Sequence, residues 1–194
     1  MLRISYDAIA GGVSVFDDYK RRTGFQAAMD FDQYFLAVEY GTESSERGDG
    51  FGYQYEAQGN YFSVGPEVNL LKNVTDGSIL TFGLRYGQAN FSDQLTFSVD
   101  STFFGDYDVS AANPDLIARW MEMTMHLSTE VWKNLTVGYT VRYKVARKVK
   151  NIGVMAPYDV PGFGLYEDNT GVRLNFYIGW VFRWREKELL EEKK

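Results

Sequence analysis

Period-two alternation of apolar and polar residues, sustained over long segments, is the feature that most limits what this chain can fold into. In "WMEMTMHLSTEVWKN" (120–134), Met121, Met123, Met125, Leu127 and Val131 fall on one face, and Glu122, Thr124, His126, Ser128 and Glu130 on the other. A helix would space its apolar residues three and four apart, whereas a strand alternates. "LTVGYTVRYKV" (135–145), "ILTFGLRYG" (79–87) and "GVRLNFYIGWVFRW" (171–184) repeat the pattern, as do the shorter "FQAAMDF" (25–31) and "YFLAVEY" (34–40). Eight strands are predicted, over 3–16, 21–32, 33–46, 55–72, 78–95, 116–132, 135–150 and 170–185. The charged end "REKELLEEKK" is expected as a short tail, so residues 1–185 form one domain and 186–194 lie outside it.

Composition narrows the class. The chain has 194 residues, with 14 Tyr, 14 Phe, 19 Gly and 4 Pro, a balance that suits pleated surfaces and tight turns. It has no cysteine, which excludes disulfides, thiolate metal sites and a cysteine nucleophile. A net charge of −6 without a basic stripe argues against nucleic acid as a partner. No run approaches the roughly 18 apolar residues of a spanning helix. "MLRISYDAIAGG" enters strand-like sequence almost at once, so an exported protein requires a leader removed ahead of residue 1.

Connection lengths add a second constraint. Those at 30–33, 72–77 and 132–135 read as short. Those at 43–54, 96–115 and 151–169 read as long, and fall on the opposite end of the meander. On that long side only "DDYK" (17–20) reads as tight. Two all-β folds accommodate eight alternating strands: a soluble lipocalin-like barrel with its apolar face inside, and an outer-membrane barrel with that face outside. Strand length, a polar face mixing both charge signs with Gly and Thr, and the loop asymmetry favour the second. Pro66, inside a strand of a barrel without edges, calls for a bulge at Gly65–Pro66. Trp120 and Trp132 fall on the polar face and are expected at strand ends.

"YFSVGPEVNLLKN" (61–73), "ILTFGLRYGQANFSDQL" (79–95), "WMEMTMHLSTEVWKNLTVGYTVRYK" (120–144) and "VPGFGLYEDNTGVRLNFYIGW" (160–180) resemble a family of uncharacterised Bacteroidota proteins read as small outer-membrane barrels, with OmpX- or OmpA-type barrel architecture. The likeness covers most of residues 50–185 and rests on hairpin patterning and phrases such as "LRYG" and "WKNL". It implies an all-β, eight-stranded, antiparallel up-and-down transmembrane barrel at the outer membrane, and it brings no catalytic motif.

With the apolar face toward lipid, the polar face fills the barrel. The expected lumen network comprises Asp30, Glu39, Glu67, Glu122, Glu130, Arg85, Arg142, Lys144, Arg173 and Arg183, with His126 among them. Eight strands leave room only for side chains, so acids and bases must pair there. In particular, Glu122 or Glu130 is expected to meet Arg142 or Lys144, closing the lumen. "HLS" also resembles the His-x-Ser pair of barrel lipid A deacylases, with Glu122 or Glu130 as the third group. However, the apolar positions Met121, Met123, Met125 and Leu127 claim the lipid side on which such a site must open. Asp100, Asp106 and Asp108 fail the EF-hand spacing. Phe103, Phe104, Tyr107, Phe163 and Tyr166 are candidate partner contacts in the long loops.

The expectation is therefore a non-enzymatic outer-membrane barrel without cofactor or metal, facing membrane lipid. It would serve as a structural or accessory subunit beside other outer-membrane proteins, with no nucleic acid and no small-molecule substrate. A lipid A hydrolase using His126 and Ser128, and a soluble ligand-binding barrel, stand as alternatives.

Overall fold

Long alternating strands satisfy every backbone amide only by pairing side by side and closing on themselves. The structure, a computed structural model, describes residues 1–8, 20–31, 33–48, 52–71, 77–99, 107–147, 149–166 and 169–183. Eight strands close there into a barrel: β1 (Leu2–Asp7), β2 (Lys20–Phe31), β3 (Tyr34–Gly48), β4 (Tyr53–Asn69), β5 (Ile79–Val99), β6 (Tyr107–Trp132), β7 (Leu135–Ala146) and β10 (Thr170–Phe182). Each pairs antiparallel with its chain neighbour, and β1 closes the ring against β10, Leu2 opposite Phe182. A separate two-stranded ribbon, β8 (Asp159–Val160) with β9 (Gly164–Leu165), lies in the connection between β7 and β10.

All eight predicted strands are present, but their lengths differ from the reading. β1 stops at Asp7 and β2 starts at Lys20, and the rest of "DDYK" lies outside the described residues. β5 and β6 run on to Val99 and back from Tyr107, so most of the expected loop 96–115 is hairpin. β3 and β4 likewise consume most of 43–54. The added residues carry Gln54, Thr96, Ser98, Asp108 and Ser110 on positions continuous with the outward face, and polar residues there in place of apolar ones masked the strand signal. The tail 186–194 lies outside the described residues.

Two irregularities re-aim side chains. Between Phe91 and Asp93 the register against β6 shifts, and Pro114 sits in that shift, where no ladder amide is needed. Between Glu130 and Trp132 a second shift turns Trp132 outward, 71% exposed. The expected bulge at Gly65–Pro66 is absent. Val64 faces Tyr86 and Glu67 faces Gly83, one unbroken register in which only the Gly65 and Pro66 pairs drop out, while Pro66 stays opposite Leu36 on its other side. A side chain at Gly65 would collide with the Leu84 and Arg85 backbone, so the strands approach too closely there for anything but glycine.

The two faces are sorted as the alternation requires. Phe82, Leu84, Met121, Met123, Met125, Leu174 and Ile178 point out and are exposed, whereas Arg85, Glu122 and His126 point in and are buried. This is the reverse of what a soluble barrel carrying an apolar ligand needs. The outward apolar positions form a belt, topped by Phe25, Tyr40, Phe62 and Tyr86; one step further up the strands stand Thr23, Thr42, Asn60 and Gln88.

Candidate functional site: a closed, charged lumen

The interior is layered. At the end bearing the short turns, Ala28, Phe35, Ala37 and Ile79 make a small apolar floor. Above it lies the charged layer. Arg85 holds Glu67 through a 2.9 Å bond from Nε and a second, shorter contact from Nη2. Thr81 and Thr124 donate to the same carboxylate at 2.7 and 3.3 Å. Arg142 bridges two acids, pairing with Glu39 through Nη2 and with Glu122 through Nη1 at 3.2 Å. Lys144 stands 3.9 Å from Glu122 and donates to the carbonyl of Gly162. Tyr61 and Tyr177 each donate to Glu39 at 3.4 Å.

This arrangement answers the physical requirement. A buried charge without a partner is costly, and each of these three carboxylates meets at least one cation. Glu122 meets both Arg142 and Lys144, as the register of β6 against β7 places it opposite Lys144. Glu130 does not. It sits at the rim, pairs with Arg183 and accepts a 2.8 Å bond from the Asn134 amide. Asn134 closes that turn with φ 69, a left-handed backbone that asparagine tolerates. The hydrogen bonds from Arg183 and from that amide hold the Glu130 carboxyl below its ordinary range. Asp30 also lies at this rim. The rim positions of Asp30, Glu130 and Arg183 therefore separate them from the network, which Glu39, Glu67, Arg85, Glu122, Arg142 and Lys144 form together. Arg173 belongs one level higher, paired with Glu43 at 3.1 Å.

Several members of the interior were missed by sequence reasoning. Arg3 and Asp7 lie on β1, whose brevity hid its alternation. Glu43, Lys20 and Asp159 form a further set, Lys20 reaching Glu43 at 2.8 Å and Asp159 at 2.7 Å. Asp159 comes from the connection after β7, and this is the largest surprise. Pro157 and the stretch from Asp159 to Phe163 are buried: the β8–β9 ribbon folds into the barrel mouth as a stopper. Gly162 donates its amide to Glu43 at 3.1 Å. Its φ is 76, and a side chain there would strike the Tyr61 ring, so only glycine allows the ribbon to seat. Phe163 packs edge-on against Trp120, ring centroids 5.9 Å apart. Together with Tyr61, Phe91, Leu116 and Val160 they make an upper apolar layer. No periodicity could have announced this ribbon, because its strands are two residues each.

Trp120 is thus neither at a strand end nor exposed. It is buried in the middle of β6, and its indole donates to Glu122 at 3.1 Å. Phe163, expected among exposed loop aromatics, is inside the mouth and unavailable to a partner as placed. Tyr166 packs edge-on against Phe163 and donates to the Arg147 carbonyl at 3.3 Å. Tyr107 stays half-exposed on the β5–β6 hairpin. Phe103 and Phe104 lie outside the described residues.

Higher still, Asp93 accepts from Asn113 at 2.7 Å and from Tyr55 at 3.1 Å, and burial raises its carboxyl above the usual range. The Tyr55 hydroxyl accepts the amides of Tyr158 and Asp159, which ties the stopper to the β4–β5 wall.

His126 is buried beside Tyr177, ring centroids 6.1 Å apart, and Nδ1 lies 2.7 Å from the Thr140 hydroxyl. Ser128 accepts instead from Arg3 at 2.9 Å. The two residues of "HLS" thus have separate partners, and a serine hydrolase needs its histidine on the serine. Both side chains are buried inside the barrel, away from the outward-facing, exposed Met121, Met123 and Met125. Asp108 accepts from Ser98 at 2.7 Å, while Asp100 and Asp106 lie outside the described residues. Among the described residues no cluster of acids or histidines is placed to hold a metal.

A family model described as Domain of unknown function (DUF6048) matches residues 2–184. No curated protein matches the chain. Among solved structures, the crystal structure of Acinetobacter baumannii CarO2 matches at 10% identity, covering 93% of this chain and 97% of that one, with a TM-score of 0.43. A likeness at that level adds nothing to the fold described above.

Proposed function

The chain belongs to the DUF6048 family, and we propose that this member is an integral outer-membrane β-barrel with a sealed interior, working as a structural or accessory subunit of a larger outer-membrane assembly. The carrying observation is the inverted burial. An unbroken ring of apolar side chains such as Leu84, Val172, Leu174 and Ile178 stands exposed on the outside, while Arg85, Glu67 and Arg142 are enclosed. In water that belt would leave a large apolar surface uncovered, whereas hydrocarbon covers it without cost. Both ends of the wall, Leu2 and Phe182, lie at the end with short turns, which becomes the periplasmic side, and the stopper end faces outward.

The accessory role follows from what the barrel offers. Its interior is filled by paired charges and a seated ribbon, so its working surfaces are its outer wall and the projecting β3–β4 and β5–β6 hairpins. Tyr107, Phe97 and Val109 stand exposed on the latter, the kind of side chains that anchor protein contacts.

The membrane reading is tested by extraction. The protein should remain with the outer-membrane fraction after carbonate washing and require detergent for release; monodisperse protein in buffer alone would refute it. The accessory role is tested by capturing the native protein from solubilised membranes. Stoichiometric outer-membrane companions are expected, and a protein that migrates alone at barrel mass in mild detergent refutes the assembly.

A further inference from the structure

The charged layer does not balance. Four cations, Arg3, Arg85, Arg142 and Lys144, share the lower lumen with three carboxylates, Glu39, Glu67 and Glu122. Arg85 pairs with Glu67 and Glu39, Arg142 with Glu39 and Glu122, and Lys144 with Glu122. Among the described residues Arg3 makes no ion pair within 4 Å, and Glu67 is the carboxylate within its electrostatic reach. Its guanidinium, 1% exposed, crosses the barrel from β1 and spends only Nη1, on Ser128.

Further buried polar atoms of the layer lack partners, Arg142 Nε and Gln26 Oε1 among them. Arg3 keeps Nε and Nη2, Arg85 keeps Nη1, His126 keeps Nε2 and Gln26 keeps Nε2 without a hydrogen-bond partner. All four side chains are at most 2% exposed. The guanidiniums of Arg3 and Arg85 lie within electrostatic reach of each other and of the His126 ring. Gln26 stands opposite Glu39 on β3, whose carboxylate is 3.6 Å from Arg85 Nη1. His126 Nδ1 faces the Thr140 hydroxyl at 2.7 Å, and in the tautomer in which that hydroxyl donates, Nε2 carries the proton and can donate. Short side chains line the walls here: Ser5, Ala28, Ser63, Thr81, Thr124 and Thr140. Below is the apolar floor and above are the Arg142 ion pairs.

We propose that this layer holds one small monovalent anion of the halide class, bound by Arg3, Arg85, His126 and Gln26. Water alone would satisfy the hydrogen bonds, but with all four bases protonated it would leave one uncompensated positive charge in a low-dielectric interior, which is the costly outcome. A monovalent anion removes both deficits at once. Of the anions that would supply this charge, a halide is the smallest. The site does not depend on where the barrel resides in the cell.

Bromide is the probe. Protein purified and crystallised with sodium bromide as the halide should give one anomalous peak at the bromine edge inside the barrel, within about 3.5 Å of the free nitrogens of Arg3 and Arg85. Density that refines only as water, with no anomalous signal, overturns the proposal. In solution, the folded-to-unfolded ratio in urea should rise as bromide replaces sulfate at constant ionic strength. Above the dissociation constant, it should approach a tenfold gain for each tenfold rise in bromide. Arg3→Met should remove that dependence, and an unchanged dependence in Arg3→Met counts against the site. Should Arg3→Met fail to fold, the wild-type anomalous map still decides.

Discussion

The indole of Trp120 occupies the space that a side chain at Gly87, its partner across the β5–β6 ladder, would need. One glycine thereby fixes three things: the burial of the tryptophan, its 3.1 Å bond to Glu122 and the surface on which Phe163 seats. Gly87→Val should destabilise the barrel by about 1–3 kcal/mol, the usual cost of overpacking. It should also make the segment 151–166 more sensitive to protease than the wall. Urea midpoints in detergent and limited proteolysis measure the two effects, and an unchanged midpoint would mean that the indole lies elsewhere.

Neighbouring residues on opposite faces of β7 should respond to opposite changes. Val141 faces Leu174 across the ladder on the outward side, and Val141→Arg should cost about 2–4 kcal/mol in a bilayer if it lies near the midplane. Arg142 is buried between two carboxylates, and Arg142→Met should cost about 3–5 kcal/mol by leaving them uncompensated. Reversible unfolding in lipid vesicles reads both. A neutral Val141→Arg would mean that the outer face does not meet hydrocarbon.

Orientation is read by labelling, since the chain has no cysteine of its own. In intact cells, a membrane-impermeant maleimide should modify Asn151→Cys and spare Lys133→Cys. Modification of Lys133→Cys in intact cells reverses the assignment of the two ends.

Two carboxyls should pull stability in opposite directions with pH. Glu130 is held low by Arg183 and the Asn134 amide. Its contribution is present above its unfolded value of about 4.3 and is lost as pH falls through the lower folded value. The penalty of Glu130→Gln should therefore be seen at neutral pH and fade on acidification. Asp93 is held high by burial. As pH rises through its unfolded value of about 3.9, the unfolded chain ionises first and folding is penalised, fully so above the folded value. Asp93→Asn should therefore gain on wild type between mildly acidic and neutral pH. Parallel stability curves for Asp93→Asn and wild type would contradict the raised carboxyl.

His126→Gln should leave the lipid A profile of expressing cells unchanged by mass spectrometry. A deacylated species that accompanies wild-type protein and disappears with His126→Gln would install the hydrolase in place of the accessory reading.

Much of this barrel was legible because alternation is a local code. It assigned Met121, Met123 and Met125 outward and Glu122 and His126 inward, and it left Glu122 or Glu130 to meet Arg142 or Lys144, of which Glu122 alone does so. It failed where the code is interrupted. A register shift turned Trp132 outward, and the Pro66 pairing was lost without the expected bulge. The polar outward positions of the β3–β6 extensions read as loop. The stopper has no period at all. Its seat is written in Gly162, Tyr61 and Glu43, residues far apart in sequence that only the closed barrel brings together.

The seam between β1 and β10 joins residue 2 to residue 182, while the other ladders join chain neighbours, most of them through short connections. Hairpins can therefore zip as the chain becomes available, but the ring must wait for its slowest contact, the one with the largest loop to close. Arg3 and Asp7 ride on that last strand. Until it docks, two unpaired strand edges stay open and the inner charges remain hydrated. Closing the seam dries the lumen, completes the ion network and removes both edges in a single late event, so the step that limits assembly is also the one that locks it.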